Sequence, residues 1–147
     1  MLSVERTFVV DRPVDVVFDY LADFSNTEQW DPGTVSCRRT DDGPLRVGSR
    51  FHNVSKFRGR EVELEYTMRT CEPATKHLRF VGENDTVTST DDMRLAAAGD
   101  GQRTSITYRA EFDFHGMAKL AQPVLKPALE HLADQTVAQM TEAVGHI

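Results

Sequence analysis

The fold of this chain is decided by residues 106–144, ITYRAEFDFHGMAKLAQPVLKPALEHLADQTVAQMTEAV, where the spacing of apolar residues changes. From Ile106 to Phe114 every second side chain is apolar, which is typical of a strand with one buried face. From Leu125 to Val144 apolar side chains recur at helical spacing, with His131 and acidic residues opposite them. The stretch therefore predicts a one-sided strand followed by a long helix, of about 18 to 25 residues, that covers the apolar face of the sheet.

Two prolines interrupt the helical pattern. Pro123 and Pro127 lie where an unbroken helix starting at Gly116 would need their backbone N–H groups. We therefore expect a short helical lead from about Met117 and a kink or break before Ala128.

Upstream of Ile106 the alternation extends back through five more segments, separated by Gly, Pro, Asn and Asp clusters, so that six strands fit between Gly33 and His115. A further β-branched run precedes them at residues 4–10. The expected order is one strand, two helices, six strands and a long helix.

The two short helices are predicted from residues 13–33. Pro13 suits the first turn of an amphipathic helix whose apolar side chains run from Val14 to Leu21. Ser25 and Glu28 match a capping box that would open a second helix, which the Pro32-Gly33 pair closes.

Composition excludes several classes of protein. The chain has 147 residues, enough for one domain over residues 1–147, and its net charge of −6 disfavours nucleic acid and, over long range, anionic lipid. No apolar run is long enough to insert into a membrane, and residues 1–6 do not resemble a secretory signal, so we expect a cytoplasmic monomer or homodimer. Cys37 and Cys71 are too far apart to suggest a disulfide framework or a zinc site.

The order of these elements, together with several short motifs, resembles the START-related (SRPBCC) superfamily, and within it the polyketide cyclase/dehydrase-like proteins. The similarity covers nearly the whole chain. Its motifs are Arg12-Pro13-Val14-Asp15-Val16-Val17-Phe18, Leu21, Asp23-Phe24, Trp30-Asp31-Pro32, Val47-Gly48 and Glu72-Pro73.

The resemblance implies an α+β helix-grip fold. In it a curved seven-stranded antiparallel sheet wraps a long C-terminal helix and leaves an elongated apolar cavity. The superfamily includes aromatase/cyclases and lipid or hormone carriers and has no universal catalytic motif, so the resemblance implies a cavity and not a reaction.

Polar side chains that share the inward face of the predicted sheet are the candidates for chemistry. Tyr66, Asp91 and Tyr108 are weak candidates for catalysis, since a phenol or a desolvated carboxyl can donate or shuttle a proton. The alternatives are core tyrosines with satisfied hydroxyls, and a rim carboxylate at Asp91 with Asp92 inward instead. Asn53 shares the inward face by its alternation with Phe51.

The predicted ligand-binding set combines these polar residues with apolar ones on the same faces. Trp30 is either an entrance residue or a plug that seals the core. The set is Trp30, Phe51, Asn53, Tyr66, Met68, Phe80, Asp91, Met93, Tyr108, Phe112, Leu129 and Leu132.

No motif suggests a metal, a cofactor or a nucleophilic triad. The histidines, His52, His77, His115, His131 and His146, are spread out and predicted to lie on the surface, and no Gly-x-Ser-x-Gly elbow is present. Three functions stay open: a cyclase or dehydrase, a carrier or sensor with the same cavity, and a protein-interaction module with a closed core. Binding of a hydrophobic small molecule is the expectation common to the first two.

Overall fold

A computed structural model describes all residues from Met1 to Ile147. Seven strands form one fully antiparallel sheet in the order β1-β7-β6-β5-β4-β3-β2, so the first strand of the chain lies beside the last. The strands are β1 (Leu2–Val10), β2 (Thr34–Arg39), β3 (Arg50–Phe57), β4 (Arg60–Glu72), β5 (His77–Glu83), β6 (Val87–Ala98) and β7 (Arg103–Phe114).

Helices cover one face of this sheet. The helices are α1 (Val14–Ala22), α2 (Thr27–Trp30) and α3 (Gln122–Gly145), with short 3-10 turns at Phe24–Asn26 and Gly116–Ala121. The apolar side of α1, with Val17, Phe18 and Leu21 buried, packs against β6 and β7, while α3 packs against β1 and α2. The helix-grip prediction is confirmed: a seven-stranded antiparallel sheet, short helices after the first strand and a long closing helix. No helix combines the length and the apolar character needed to cross a membrane.

The closing helix differs from the prediction at its prolines. A 3-10 turn does precede it, but α3 then runs unbroken from Gln122 to Gly145, so the break expected before Ala128 was wrong. Pro123 occupies the first turn, where a missing N–H costs nothing. Pro127 is solvent-exposed, and water can therefore hydrate the Pro123 carbonyl that lacks a helical partner.

Replacement of Pro127 with alanine is expected to raise the free energy of unfolding by roughly 1 to 2 kcal/mol. The restored hydrogen bond and relieved clash contribute up to about 3 kcal/mol, and the more flexible unfolded chain offsets up to about 1 kcal/mol of that. Urea denaturation measures the difference. Pro123→Ala, in the first turn, is the control and should bring no gain; a less stable Pro127→Ala variant would contradict the expectation.

The cap of the second short helix also differs from the prediction. Ser25 does not cap α2, which begins after Asn26 without a side-chain cap. Asp23 caps the preceding 3-10 turn, since its Oδ1 accepts hydrogen bonds from the Ser25 backbone N–H and hydroxyl. Glu28, the predicted partner of Ser25, accepts instead from the backbone N–H of Cys37 at 2.7 Å. Glu28 thereby ties α2 to β2.

Arg6 on the edge strand β1 fixes the position of α3. Its guanidinium contacts Glu130 Oε2 at 2.7 Å through Nη2 and Asp134 Oδ1 at 2.8 Å through Nε. These contacts hold the segment of α3 that carries Leu129 and Leu132 over the sheet.

Candidate functional site

A largely apolar cavity of about 160 Å³ lies between the sheet and the first half of α3. It occupies the end of the sheet at which β3 and β7 finish and β4 and β6 begin, because Phe57, Val62, Val87 and Phe114 all line it. Of its 20 lining residues 13 are hydrophobic, so its walls suit an apolar ligand. An apolar cavity of about 150 Å³ can hold one benzene ring, which sets the scale.

Six of the twelve predicted ligand-binding residues line this cavity. Two come from α3, and the rest come from three strands, β4, β6 and β7. They are Tyr66, Asp91, Tyr108, Phe112, Leu129 and Leu132.

The other six predicted residues lie in the solid core and do not line the cavity. Phe24 fills the space that the sheet leaves beside them: its ring stacks on Phe80 with centroids 4.3 Å apart and meets Phe51 edge-on at 5.9 Å. Phe24 belongs to the 3-10 turn after α1, and its ring fills the space over the end of the sheet opposite the cavity. The residues to be corrected are Trp30, Phe51, Asn53, Met68, Phe80 and Met93, all nearly fully buried.

The contacts of Trp30 and Asn53 show why these two side chains belong to the core. Trp30 packs edge-on against Phe24 at 6.2 Å and Tyr108 at 5.9 Å, so it is a plug and not an entrance residue. Asn53 is buried with its amide satisfied, donating to the Thr34 hydroxyl at 3.3 Å and accepting from the Ser55 hydroxyl at 2.6 Å.

A group of four polar side chains forms the floor of the cavity, at the end away from solvent. The Tyr108 hydroxyl donates to Asp91 Oδ1 at 2.5 Å, and the Tyr66 hydroxyl bonds Ser89 Oγ at 3.2 Å. All four residues line the cavity and are less than one tenth exposed. They give an otherwise oily cavity one polar end.

Burial controls the ionisation of this group. Desolvation raises the pKa of Asp91 to about 7, against the opposing effect of the hydrogen bond from Tyr108. The pKa values of Tyr66 and Tyr108 lie well above their usual range, first through desolvation and then through the nearby Asp91 charge. At neutral pH Asp91 is therefore present in both protonation states, while both phenols stay protonated.

Asp31 is a second carboxyl group on the cavity wall, and the sequence prediction did not include it. It accepts from the Gly33 N–H at 3.1 Å and from the Thr34 hydroxyl at 2.7 Å. Desolvation raises its pKa, and its negative charge contributes to the raised pKa of Asp91. Asp31 lies in a turn, where no alternation indicates which way a side chain points. Ser89 was also missed, although it has the same strand parity as Asp91 and could have been predicted to face inward.

Gly82 allows Tyr66 to reach the floor of the cavity. Tyr66 on β4 pairs with Gly82 on β5, which pairs with Ser89 on β6, so the tyrosine ring crosses a whole strand to reach the Ser89 hydroxyl. A Cβ at position 82 would lie 2.6 Å from the Tyr66 ring atoms Cε2 and Cζ. Only glycine leaves room for that crossing.

The substitution Gly82→Ala is expected to lower the free energy of unfolding by about 1 to 3 kcal/mol, the usual range for forcing an extra carbon into a packed core. Urea denaturation measures this cost. In a Tyr66→Ala background most of the cost should vanish, because the clashing ring is gone. Gly145→Ala, with nothing near the added carbon, is the matched control. An equal cost of Gly82→Ala in both backgrounds would contradict the explanation.

The histidines lie away from the cavity. His52 bonds Glu63 at 2.9 Å and also contacts Glu65, all on the outer face of β3 and β4. His77 differs from the predicted surface residue, since only 12% of its side chain is exposed and its Nε2 lies 2.8 Å from Asp92 Oδ2. Asp92 thus lies on the outer face, opposite to its neighbour Asp91.

The chain matches one known family over nearly its whole length. The sequence profile of that family, described as polyketide cyclase/dehydrase and lipid transport, matches residues 1–145. The comparison with curated proteins found no match.

Several solved structures share the fold at low sequence identity. A protein of Thermus thermophilus aligns with a TM-score of 0.80 at 13% identity, covering 97% of each chain. The Zhui aromatase/cyclase of a Streptomyces species aligns with a TM-score of 0.75 at 17% identity, over 99% of this chain and 92% of its own. A START superfamily protein of Mycobacterium smegmatis gives 0.69 at 17% identity, over 98% and 94%. At these identities the similarity shows the fold alone.

Proposed function

Since this chain belongs to the polyketide cyclase/dehydrase and lipid transport family, we propose that it binds a small apolar molecule in the cavity and transfers protons on it. The observation that carries the proposal is the Tyr108–Asp91 hydrogen bond at the floor of an apolar cavity. The reaction class is that of a cyclase or dehydrase, in which a carbonyl-containing chain is held in one geometry.

Binding follows from the two ends of the cavity. Its apolar walls gain roughly 25 cal/mol for each Å² of ligand surface removed from water, which supplies affinity. The polar floor gives orientation, because a ligand carbonyl or hydroxyl that reaches it can replace the Tyr66–Ser89 hydrogen bond. The ligand is therefore expected to have an apolar body and one oxygen-bearing end.

Proton transfer is assigned to Asp91. A carboxyl group with a pKa of about 7 is poised to accept and return a proton at neutral pH. In its ionised form it takes a proton from the carbon beside the ligand carbonyl, while the Tyr66 hydroxyl donates to the carbonyl oxygen. For a dehydration the protonated Asp91 then gives that proton to the departing hydroxyl group, which leaves as water. Tyr108 holds the carboxyl in place throughout.

The experiment has two stages. Native mass spectrometry of protein purified from its own host, compared with the denatured mass, is expected to show a bound aromatic or acyl compound. That compound and its carbonyl-containing relatives are then tested for turnover. Asp91→Asn removes the proton-transfer group and should lower turnover roughly 100-fold or more. Tyr66→Phe and Tyr108→Phe should also reduce it.

The controls keep the same chemistry away from the cavity. Asp92→Asn changes the neighbouring carboxyl on the outer face, and Tyr20→Phe changes a tyrosine whose hydroxyl bonds Gln29 instead. Both should turn over ligand like the wild type. A bound ligand without turnover would support a carrier, and a ligand-free spectrum with no thermal shift against a panel of hydrophobic compounds would favour the closed-core interaction module.

A further inference from the structure

The segment that joins β7 to α3 exposes three large apolar side chains beside the cavity. Met117, Leu120 and Val124 are 81%, 73% and 67% exposed, the highest values among the large apolar residues outside the first residue of the chain. They recur at spacings of three and four residues across the 3-10 turn and the start of α3, as on one face of a helix. Phe114 and Leu129, at the two ends of this segment, both line the cavity.

Cations without carboxylate partners lie in this segment and in the hairpin at the same end of the sheet. Residues 114–129 include Lys119 and Lys126 and contain no acidic residue, and neither lysine forms an ion pair. The β3–β4 hairpin at the same end of the sheet adds Arg58 and Arg60, which are also exposed and unpaired, whereas Lys56 lies opposite Glu61 on the outer face.

The nearest acidic side chains on the strands point the other way. Phe112 and Phe114 line the cavity, so Asp113 between them faces the outer side of the sheet. Val62 also lines the cavity, which turns Glu61 outward in the same manner. Asp85, in the turn between β5 and β6, lines a depression with Glu65 and Glu83 on the outer face. The exposed mouth is therefore locally basic, although Asp31 lies on the cavity wall and the whole chain has a net charge of −6.

We propose that this mouth surface, made of Met117, Leu120 and Val124 with the four cations Lys119, Lys126, Arg58 and Arg60, docks on lipid bilayers that contain anionic lipids. Apolar side chains with lysines beside them are the composition that lies in a membrane interface, where the long cationic side chains reach the headgroups. Charges more than about 8 Å away are largely screened at physiological salt, so the local cations outweigh the acidic net charge.

Docking at this surface would let an apolar ligand enter or leave the cavity, and in that respect the inference rests on the proposed function. Phe57 and Phe114 line the cavity from the two segments that carry the mouth surface, so docking places its opening against the headgroups. An apolar ligand can then pass between bilayer and cavity without crossing water. A protein partner has no need of that juxtaposition, which favours the membrane.

Vesicle flotation tests the proposal with the full chain. The wild type is expected to float with vesicles of phosphatidylcholine and phosphatidylglycerol, far less with phosphatidylcholine alone, and less as salt is raised. Met117→Ser with Leu120→Ser should remove most of the binding, and Lys119→Glu with Lys126→Glu should lower it roughly tenfold or more. These positions are exposed, so the variants should unfold at the wild-type temperature.

Matched controls lie at the opposite end of the sheet. Val47→Ser removes another exposed apolar side chain, and Arg69→Glu reverses another exposed, unpaired cation. Both should float like the wild type. Failure of the wild type to float at low salt, or binding to an acidic acyl carrier protein in place of vesicles, would overturn the proposal, as would mouth variants that bind normally.

The outcome is separable from that of the proposed function. The mouth variants should keep their bound ligand in native mass spectrometry, because the substituted residues do not line the cavity. Asp91→Asn should lose turnover and still float. Failure of the wild type to float therefore contradicts only the docking, and failure of the wild type to hold or turn over a ligand contradicts only the proposed function.

Discussion

Replacement of Phe24 with alanine is expected to lower the free energy of unfolding by about 3 to 5 kcal/mol and to lengthen the cavity. Phe24 is 2% exposed and its ring lies within 6.2 Å of four other aromatic rings, measured between centroids. Its removal leaves a void between the existing cavity and the buried part of the sheet. The variant should therefore take up longer ligands than the wild type.

Two measurements check this expectation. Urea denaturation gives the loss of stability, and thermal shifts against a series of fatty acids of increasing length give the change in ligand size. Phe57→Ala is the matched control, because Phe57 lines the mouth and is only half-buried. A cost for Phe24→Ala no larger than that of Phe57→Ala would contradict the role of Phe24 as the inner wall.

The second large effect is a dependence on pH that Asp91→Asn should abolish. The carboxyl has a pKa of about 7 in the folded chain against an ordinary 3.8, so the folded state holds a proton that the unfolded state has released. Below about pH 4 this carboxyl group does not lower the free energy of unfolding, because it is protonated in both states. As the pH rises to about 7 the free energy of unfolding falls by up to about 1.4 kcal/mol per pH unit. Summed over that window the loss is about 4 kcal/mol.

Asparagine keeps the shape of the side chain without the charge. At pH 8 the Asp91→Asn variant should be more stable than the wild type by several kcal/mol, and the gain should shrink towards pH 4. Urea denaturation at a series of pH values measures the difference, in which the titrations of other groups cancel. Asp92→Asn should instead lose stability at neutral pH, because its partners His77, Arg79 and Arg94 stay behind. A constant difference between the wild type and Asp91→Asn would contradict the raised pKa.

Alternation along strands made the sheet and its faces predictable from the sequence. Tyr66, Asp91 and Tyr108 lie on the buried face because period-two patterning fixes the direction of each side chain once one neighbour is placed. The strand count and the closing helix follow from the same patterning with its turn residues. Whether these residues bind a ligand stays a prediction.

Alternation does not tell which part of the buried face is filled. Phe51, Met68 and Phe80 share the inward direction of Tyr66, but Phe24 packs on this end of the sheet from a turn that has no period of its own. Asp31 escaped the sequence argument for the same reason. Pro127 was misjudged because its cost depends on exposure to water, which becomes known only when α3 is placed on the sheet.

The pairing of β1 with β7 determines how late in synthesis the sheet can be completed. Leu2 lies opposite Phe112, so the first strand waits for more than a hundred further residues before it has its partner. Contacts so distant along the chain close slowly, since the entropy of the intervening loop is lost first. During synthesis the apolar face of β1 therefore stays uncovered until the last strand and α3 leave the ribosome, and truncations within α3 should be recovered as aggregates, not as smaller folded proteins.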